Sequence, residues 1–422
     1  MQEGMENLNH AHYFPMPSQG NVNTICFLKL INGTYKILVA SLKRQVFCLE
    51  YLEKPNSILI PTTKEIPFTY IPSSSEIITI DAFNKSDKRN DFVIGITIIK
   101  SCKDLVETYL NIYSEYEDNE EINIDNIAQN CFNVQLNFIP HFHGHTDLIK
   151  WKDNKLVKRE PVFILTGNDR QVHMYKEDNL LHTFQEILFM EYFPEFYKTP
   201  DMITWIEIQY FNNYSQRLTV FGTEAGYVRM CRICVKTKTI IFNHSTNFIS
   251  YVSQVKIFEE HKSIKKPRTL IKNNEHDLKD MDENDFPVLN VIVTNTSLPS
   301  VVFFDCIKNG LDQYKTLRRT EVVSISSCVE VADLDFDGED EILLGNSRQE
   351  ILLYKKSREE NEYKIFEVKY VVSPIFRIKY LDLTADRVKE LIVFTLKGLY
   401  VFQHDADFLE KKLLEKIGRM IE

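Results

Sequence analysis

The chain has 422 residues, 44% hydrophobic and 26% charged, a globular composition that rules out disorder throughout. Its 50 basic and 60 acidic residues leave a net charge of −10, so no basic face is offered to nucleic acid and none to an anionic membrane. No apolar run approaches the roughly 18 residues that a bilayer crossing needs, and the N-terminal segment through Gly20 has neither the basic nor the apolar region of a secretory leader. These features predict a cytoplasmic protein without direct membrane insertion, whose eight Cys are reduced thiols.

In chain order, one pair of strands recurs. Lys36–Ala40 runs on to Val46–Tyr51, Asp91–Thr97 to Tyr109–Tyr113, Val162–Gly167 to Val172–Tyr175, and Leu218–Gly222 to Tyr227–Met230. Val288–Thr294 then leads to Val301–Phe304, Asp340–Asn346 to Glu350–Tyr354, and Lys389–Thr395 to Leu399–Phe402. Each pair follows a further run rich in β-branched and aromatic residues: Thr24–Leu30, Ile77–Phe83, Thr146–Trp151, Ile203–Phe211, Val252–Phe258, Val323–Leu334 and Ile375–Leu383. Centred on Ala40, Gly95, Gly167, Gly222, Thr294, Gly345 and Thr395, the copies step by 55, 72, 55, 72, 51 and 50 residues. Seven units of three or four strands predict an all-β, seven-bladed β-propeller over residues 1–405, with loop insertions near 115–123, 178–200 and 259–287. The segment around His12 and Phe14 is a candidate outer strand for the last blade. The competing architecture is two unrelated β domains.

Glu115–Glu121 is acidic, and Glu259–Asp285 is charged and poor in apolar residues, so both are expected to be loops. Leu180–Tyr197 is apolar and aromatic and predicts a short helix followed by extended chain. Its loop context makes Phe189, Tyr192, Phe193 and Phe196 candidate exposed anchors for a partner. Residues 406–422 predict a C-terminal amphipathic helix begun by a capping box at Asp407 and Glu410. Leu409, Leu413 and Ile417 on its apolar stripe are a second candidate partner surface.

The strongest motif is Asp333-Leu-Asp335-Phe-Asp337-Gly338-Glu339-Asp340-Glu341. Carboxylates at its positions one, three, five and nine, with the Glu339 carbonyl at seven and Gly338 at the turn, suit one hard cation, so a structural calcium is the expectation. The alternative is a turn held by its own amides. Asp382–Glu390 repeats the spacing, but Arg387 stands where the glycine was and disfavours a positive φ; it is expected to hold its turn without calcium. His141, His143 and His145 alternate as zinc ligands could, with a metal-free loop cluster as the favoured reading. Cys231 and Cys234 are spaced to point to opposite faces. No nucleophile elbow, P-loop or dinucleotide fingerprint occurs, and nothing resembles an active site.

The Asp333–Gly338 motif followed by Ile342-Leu-Leu-Gly345 is similar to the FG-GAP repeat of integrin-α-type propellers. Almost the whole chain resembles the kaptin family, through Ile80–Ser86, Gly95–Lys100, Leu110–Tyr113, Ile127–Cys131, Thr166–Asp169, His173–Glu177, Gly226–Arg229, Leu396–Gly398 and Gln403-His404. The resemblance implies a non-enzymatic scaffold subunit of the KICSTOR complex. Its partners would be an FG-GAP partner propeller, a large scaffold protein and a small helical subunit, and through them the GATOR complex that acts on Rag GTPases. It further implies a place at the lysosomal surface and negative regulation of TOR complex 1 on amino-acid or glucose starvation, with no required cofactor. Association with actin at actin-rich cell edges is the alternative, and a calcium-dependent propeller enzyme the remoter one.

Overall fold

The second strand of each repeat is apolar without alternation, which suits a strand covered on both faces. The computed structural model, which describes residues 4–421 apart from 55–58, 87, 103–104, 116–122, 154, 179, 261–286, 319–323 and 358–361, places those strands in the middle of seven four-stranded antiparallel sheets. Every residue of Leu289–Asn295, Glu341–Asn346 and Glu390–Thr395 is buried. The fold is a seven-bladed β-propeller with, among the described residues, three α-helices, at Ile124–Gln129, Cys306–Asn309 and Ala406–Ile421.

The innermost strands are Ile25–Lys29, Ser75–Asn84, Pro140–Lys152, Ile203–Phe211, Val252–Glu259, Ser326–Ala332 and Ile375–Leu381, blades 1 to 7 in order. The outermost are Leu59–Ile66, Cys131–Leu136, Thr183–Ile187, Thr239–Asn247, Tyr314–Thr316, Glu362–Tyr370 and, for blade 7, Leu8–Pro15. Leu8–Pro15 pairs antiparallel with Gly398–His404, so the first strand of the chain completes the last blade.

The core is shared between blades. Ile37 and Val39 of blade 1 pack with Ile392, Phe394 and Val401 of blade 7, which joins the ends of the ring. Blades 6 and 7 share Leu343, Leu353, Ile378 and Leu391. Blades 3, 4 and 5 share a cluster that includes Ile164, Val220 and Val293.

Two expectations are corrected. The apolar stretch 180–197 holds no α-helix: it supplies the outer strand of blade 3, Thr183–Ile187, and then two 3-10 turns, Phe189–Glu191 and Pro194–Phe196. The C-terminal helix is capped two residues earlier than predicted, by Asp405, whose Oδ1 accepts the Asp407 and Phe408 amides at 3.0 and 3.3 Å. Most of the acidic loop, 116–122, and most of the charged loop, 261–286, lie outside the described residues.

Candidate functional site

The loop of the Asp333–Glu341 motif joins the first two strands of blade 6, Ser326–Ala332 and Glu341–Asn346. Of its five predicted ligands, three converge: oxygens of Asp333, Asp335 and Glu341 lie within 4.8 Å of one another. Asp333 accepts the Asp337 amide at 3.1 Å and the Gly338 amide at 3.0 Å, and Glu341 accepts the Leu334 amide at 2.8 Å. Asp337 stands outside the cluster, exposed, and accepts the Glu339 amide at 2.8 Å; Glu339 is half-buried. Gly338, at φ +90°, has nothing within 4 Å of a hypothetical Cβ, so conformation rather than space calls for glycine here.

A cation already sits beside the cluster. The Lys355 ammonium, from the third strand of the blade, is bonded to Asp335, lies 3.8 Å from Glu341, and rests 4.6 Å from the centre of the Phe366 ring. Burial first, and then the Asp335 charge, raise the Glu341 carboxyl to about 8. Burial also raises Asp333 and Asp337. Three carboxylates against one ammonium suit a further positive charge, but a divalent ion bound by Asp335 and Glu341 must move Lys355 aside.

Blade 7 repeats this construction. Glu390 accepts the Leu383 amide at 2.8 Å as Glu341 accepts that of Leu334, and Asp382 accepts the Asp386 and Arg387 amides at 3.2 and 2.9 Å. Arg387 takes φ +73° despite its side chain, which corrects the expectation drawn from its β-carbon. Gln403, the register counterpart of Lys355, approaches Glu390 Oε1 at 3.4 Å. The turn therefore forms with either partner.

The loop tip meets the C-terminal helix. The Phe336 ring lies 5.0 Å from that of His404 and 6.1 Å from that of Phe408, with the Lys416 ammonium 5.5 Å from its centre. Phe408, which the sequence reading passed over, is the buried anchor; Leu413 and Ile417 are exposed and Leu409 half-buried.

The predicted aromatic anchors divide. Phe189 and Tyr192 are half-buried against the core, whereas Phe193 and Phe196 are fully buried, which corrects their expected exposure. The reason is Arg217, the one charged residue of Gln216–Thr223, a strand buried from Arg217 onward. Its guanidinium lies 4.0 Å from the centre of the Phe193 ring, and it donates to both Glu195 oxygens at 2.8 and 2.9 Å. A charge inside an apolar run needs a buried counter-ion, and the turn that brings Glu195 brings the two Phe residues with it.

His141, His143 and His145 lie on the inner strand of blade 3, not in a loop. Each bonds elsewhere, to Tyr251 at 2.8 Å, Thr79 at 3.0 Å and Asp81 at 2.8 Å respectively. Burial lowers His143 to about 4; burial also opposes the charged form of His145, but Asp81 prevails and raises it. Cys231 is buried and Cys234 half-buried.

The central channel is charged. Glu330 of blade 6 is 3.0 Å from Lys256 of blade 5 and 3.1 Å from Lys379 of blade 7, and the Arg377 guanidinium lies 4.3 Å from the Trp205 ring across the channel. A cavity of about 460 Å³ opens beside blades 1 to 4, lined among others by Lys29, His145, Arg159 and Glu207.

The family described as KICSTOR complex protein kaptin matches residues 8–414. A Mus musculus KICSTOR complex protein kaptin is 31% identical over 394 residues, covering 93% of this chain and 87% of that protein. Among solved structures, the crystal structure of BBS1N in complex with ARL6DN has a chain that superposes with a TM-score of 0.52 at 8% identity, covering 94% of this chain and 96% of its own. Saccharomyces cerevisiae Sqt1 gives 0.51 at 9%, covering 94% and 99%. Likeness at such identity is likeness of fold.

Proposed function

The chain belongs to the family of the KICSTOR complex protein kaptin, and on that premise we propose that it is a non-enzymatic scaffold subunit of a KICSTOR-type complex. In this reading it assembles with an FG-GAP partner propeller, a very large scaffold protein and a small helical subunit. The assembly helps recruit the Rag-directed GATOR GTPase-activator complex to lysosomes, and so lowers TOR complex 1 signalling when amino acids or glucose are scarce. The observation that carries the reading is the family match across residues 8–414, which spans all seven blades. The absence of a membrane-crossing helix among the described residues fits a protein held at a membrane by its partners. Calcium in the Asp333–Glu341 loop has a structural role in this reading. The exposed stripe of Leu413 and Ile417, with Leu409, and the half-buried Phe189 and Tyr192, are the partner contacts proposed from the predicted set.

Purification of the tagged chain from its own cells, with mass spectrometry of what accompanies it, tests the proposal. Stoichiometric recovery of an FG-GAP propeller and a very large subunit is expected. Actin as the sole companion would move the reading to the cytoskeleton, and a clean monomer would end the scaffold reading.

A further inference from the structure

The outermost strand of each blade leaves one backbone row without a partner in its own sheet, and folded proteins blunt such edges with charge, proline or brevity. Six outer strands do so or are short. Leu59–Ile66 holds Pro61, Lys64 and Glu65, Leu8–Pro15 ends in proline, and Glu362–Tyr370 carries charges throughout; the other three have three to six residues. Blade 4 is different. Thr239–Asn247 is nine residues long, with no proline and no Asp, Glu, Lys or Arg. It is the last strand of its sheet, and none of its nine residues is buried. Among the described residues no other strand pairs with its outward row. The pairing with Tyr227–Cys234 skips Ile241, and this bulge leaves both Ile240 and Ile241 exposed, at 41% and 48%.

The charge along this stretch of the chain is one-sided. No Asp or Glu occurs from Ala225 to Phe258, a stretch that contains Arg229, Arg232, Lys236 and Lys238, besides Lys256 in the channel, in a chain whose net charge is −10. Lys236 and Lys238 rest on the rings of Trp151 and Tyr192, at 4.6 and 4.3 Å from their centres. Arg229 donates to the carbonyls of Tyr197 and Glu195.

We infer that the outer strand of blade 4 is a docking edge for an acidic, extended segment of a partner protein, which adds to the sheet as a fifth strand. Main-chain hydrogen bonds to Thr239–Asn247 supply the generic affinity, Ile240 and Ile241 receive apolar side chains at alternate positions, and the cations select acidic ones. A second copy of this chain fits less well, because its own edge brings the same cations to the same place.

The test uses the full chain and a labelled ten-residue peptide alternating Glu and Val, with a Lys and Val peptide as control, followed by fluorescence anisotropy and by hydrogen exchange of residues 239–247. The Glu peptide is expected to bind saturably and more weakly as salt rises, to slow exchange of those amides more than tenfold, and to leave Glu362–Tyr370 unchanged. The double variant Ile240→Lys/Ile241→Lys and the double variant Lys236→Glu/Lys238→Glu are each expected to weaken binding at least tenfold without a change in melting temperature. Equal binding of both peptides, undiminished binding by both variants, or slowed exchange that appears without peptide and grows with protein concentration would each overturn the inference. The titration needs no other subunit, so its failure is distinct from failure of the scaffold reading.

Discussion

The Glu330 carboxylate shows how a single charge is held inside the channel. Burial alone would raise its pKa, but Lys379 and Lys256 outweigh burial and hold it at about 2. A carboxyl depressed in the folded state binds its proton more readily when unfolded, so its contribution to stability is present above the usual carboxylate range and is lost as pH falls from about 4.5 towards 2. The contribution is on the order of 3 kcal/mol. Glu330→Gln is therefore expected to lower the melting temperature at pH 7 and to flatten the acid limb of the melting profile; an unchanged acid limb would show that the two ammonium groups find other partners. Glu341 has the opposite sign. Raised to about 8, it keeps a proton that the unfolded chain has released, so this group costs stability as pH rises from about 4.5 through 8. Lys355 offsets part of that cost at the place where a calcium ion would act. Lys355→Met should consequently melt lower than the parent without calcium, and excess Ca²⁺ should raise its melting temperature more than the parent's, while Asp335→Ala should ignore the ion. Three proteins indifferent to Ca²⁺ would remove calcium from the account of this loop.

Elements were legible in the sequence in proportion to their burial. Middle strands such as Glu341–Asn346, covered on both faces, read as unbroken apolar runs, and their recurrence exposed the repeat. Outer strands such as Thr239–Asn247 are half in water and carry Thr, Asn, His and Ser, so they blended with the loops around them. The aromatic turn 189–197 misled for a related reason: loop context predicts exposure, and only the partner demanded by Arg217 explains why Phe193 is buried. Removing that partner should be costly. Glu195→Gln leaves a guanidinium buried without its counter-charge, and the expected loss is about 3 kcal/mol or more in a denaturant melt; a loss under about 1 kcal/mol would mean that solvent reaches Arg217. At the C-terminus the sequence supplied the helix but not its anchor, since the stripe of Leu409, Leu413 and Ile417 drew notice while Phe408 does the packing. Phe408→Ala should free the helix locally, with faster proteolysis within 406–421 and an unchanged melt of the propeller. A matching fall in global melting would make the helix part of the cooperative unit instead.

A ring of blades has no hydrophobic core at its centre, so its integrity depends on every interface being closed, including that between first and last blades. The chain closes blade 7 with its own first strand. Leu8 and Phe14 are buried there, and Lys369 of blade 6 donates to the carbonyls of Met5 and Leu8 at 3.1 and 2.8 Å. The ends of the sequence, which are 396 residues apart at the bond between Asn9 and Asp405, are thereby fastened to one another. Loss of the strand uncovers the edge of Gly398–His404 and the faces of Tyr400 and Phe402 that it shelters. Burial of Leu8 and Phe14 alone is worth about 2 kcal/mol each, and the whole ladder goes with them. A chain lacking residues 1–15 is thus expected to melt at a much lower temperature and over a broader range, and a synthetic peptide of those residues, added in excess, should restore the sharp transition. The peptide arm separates a missing strand from a damaged body: restoration assigns the loss to closure, and a truncated chain that melts like the parent would show that six complete blades and three strands of the seventh hold the ring without it.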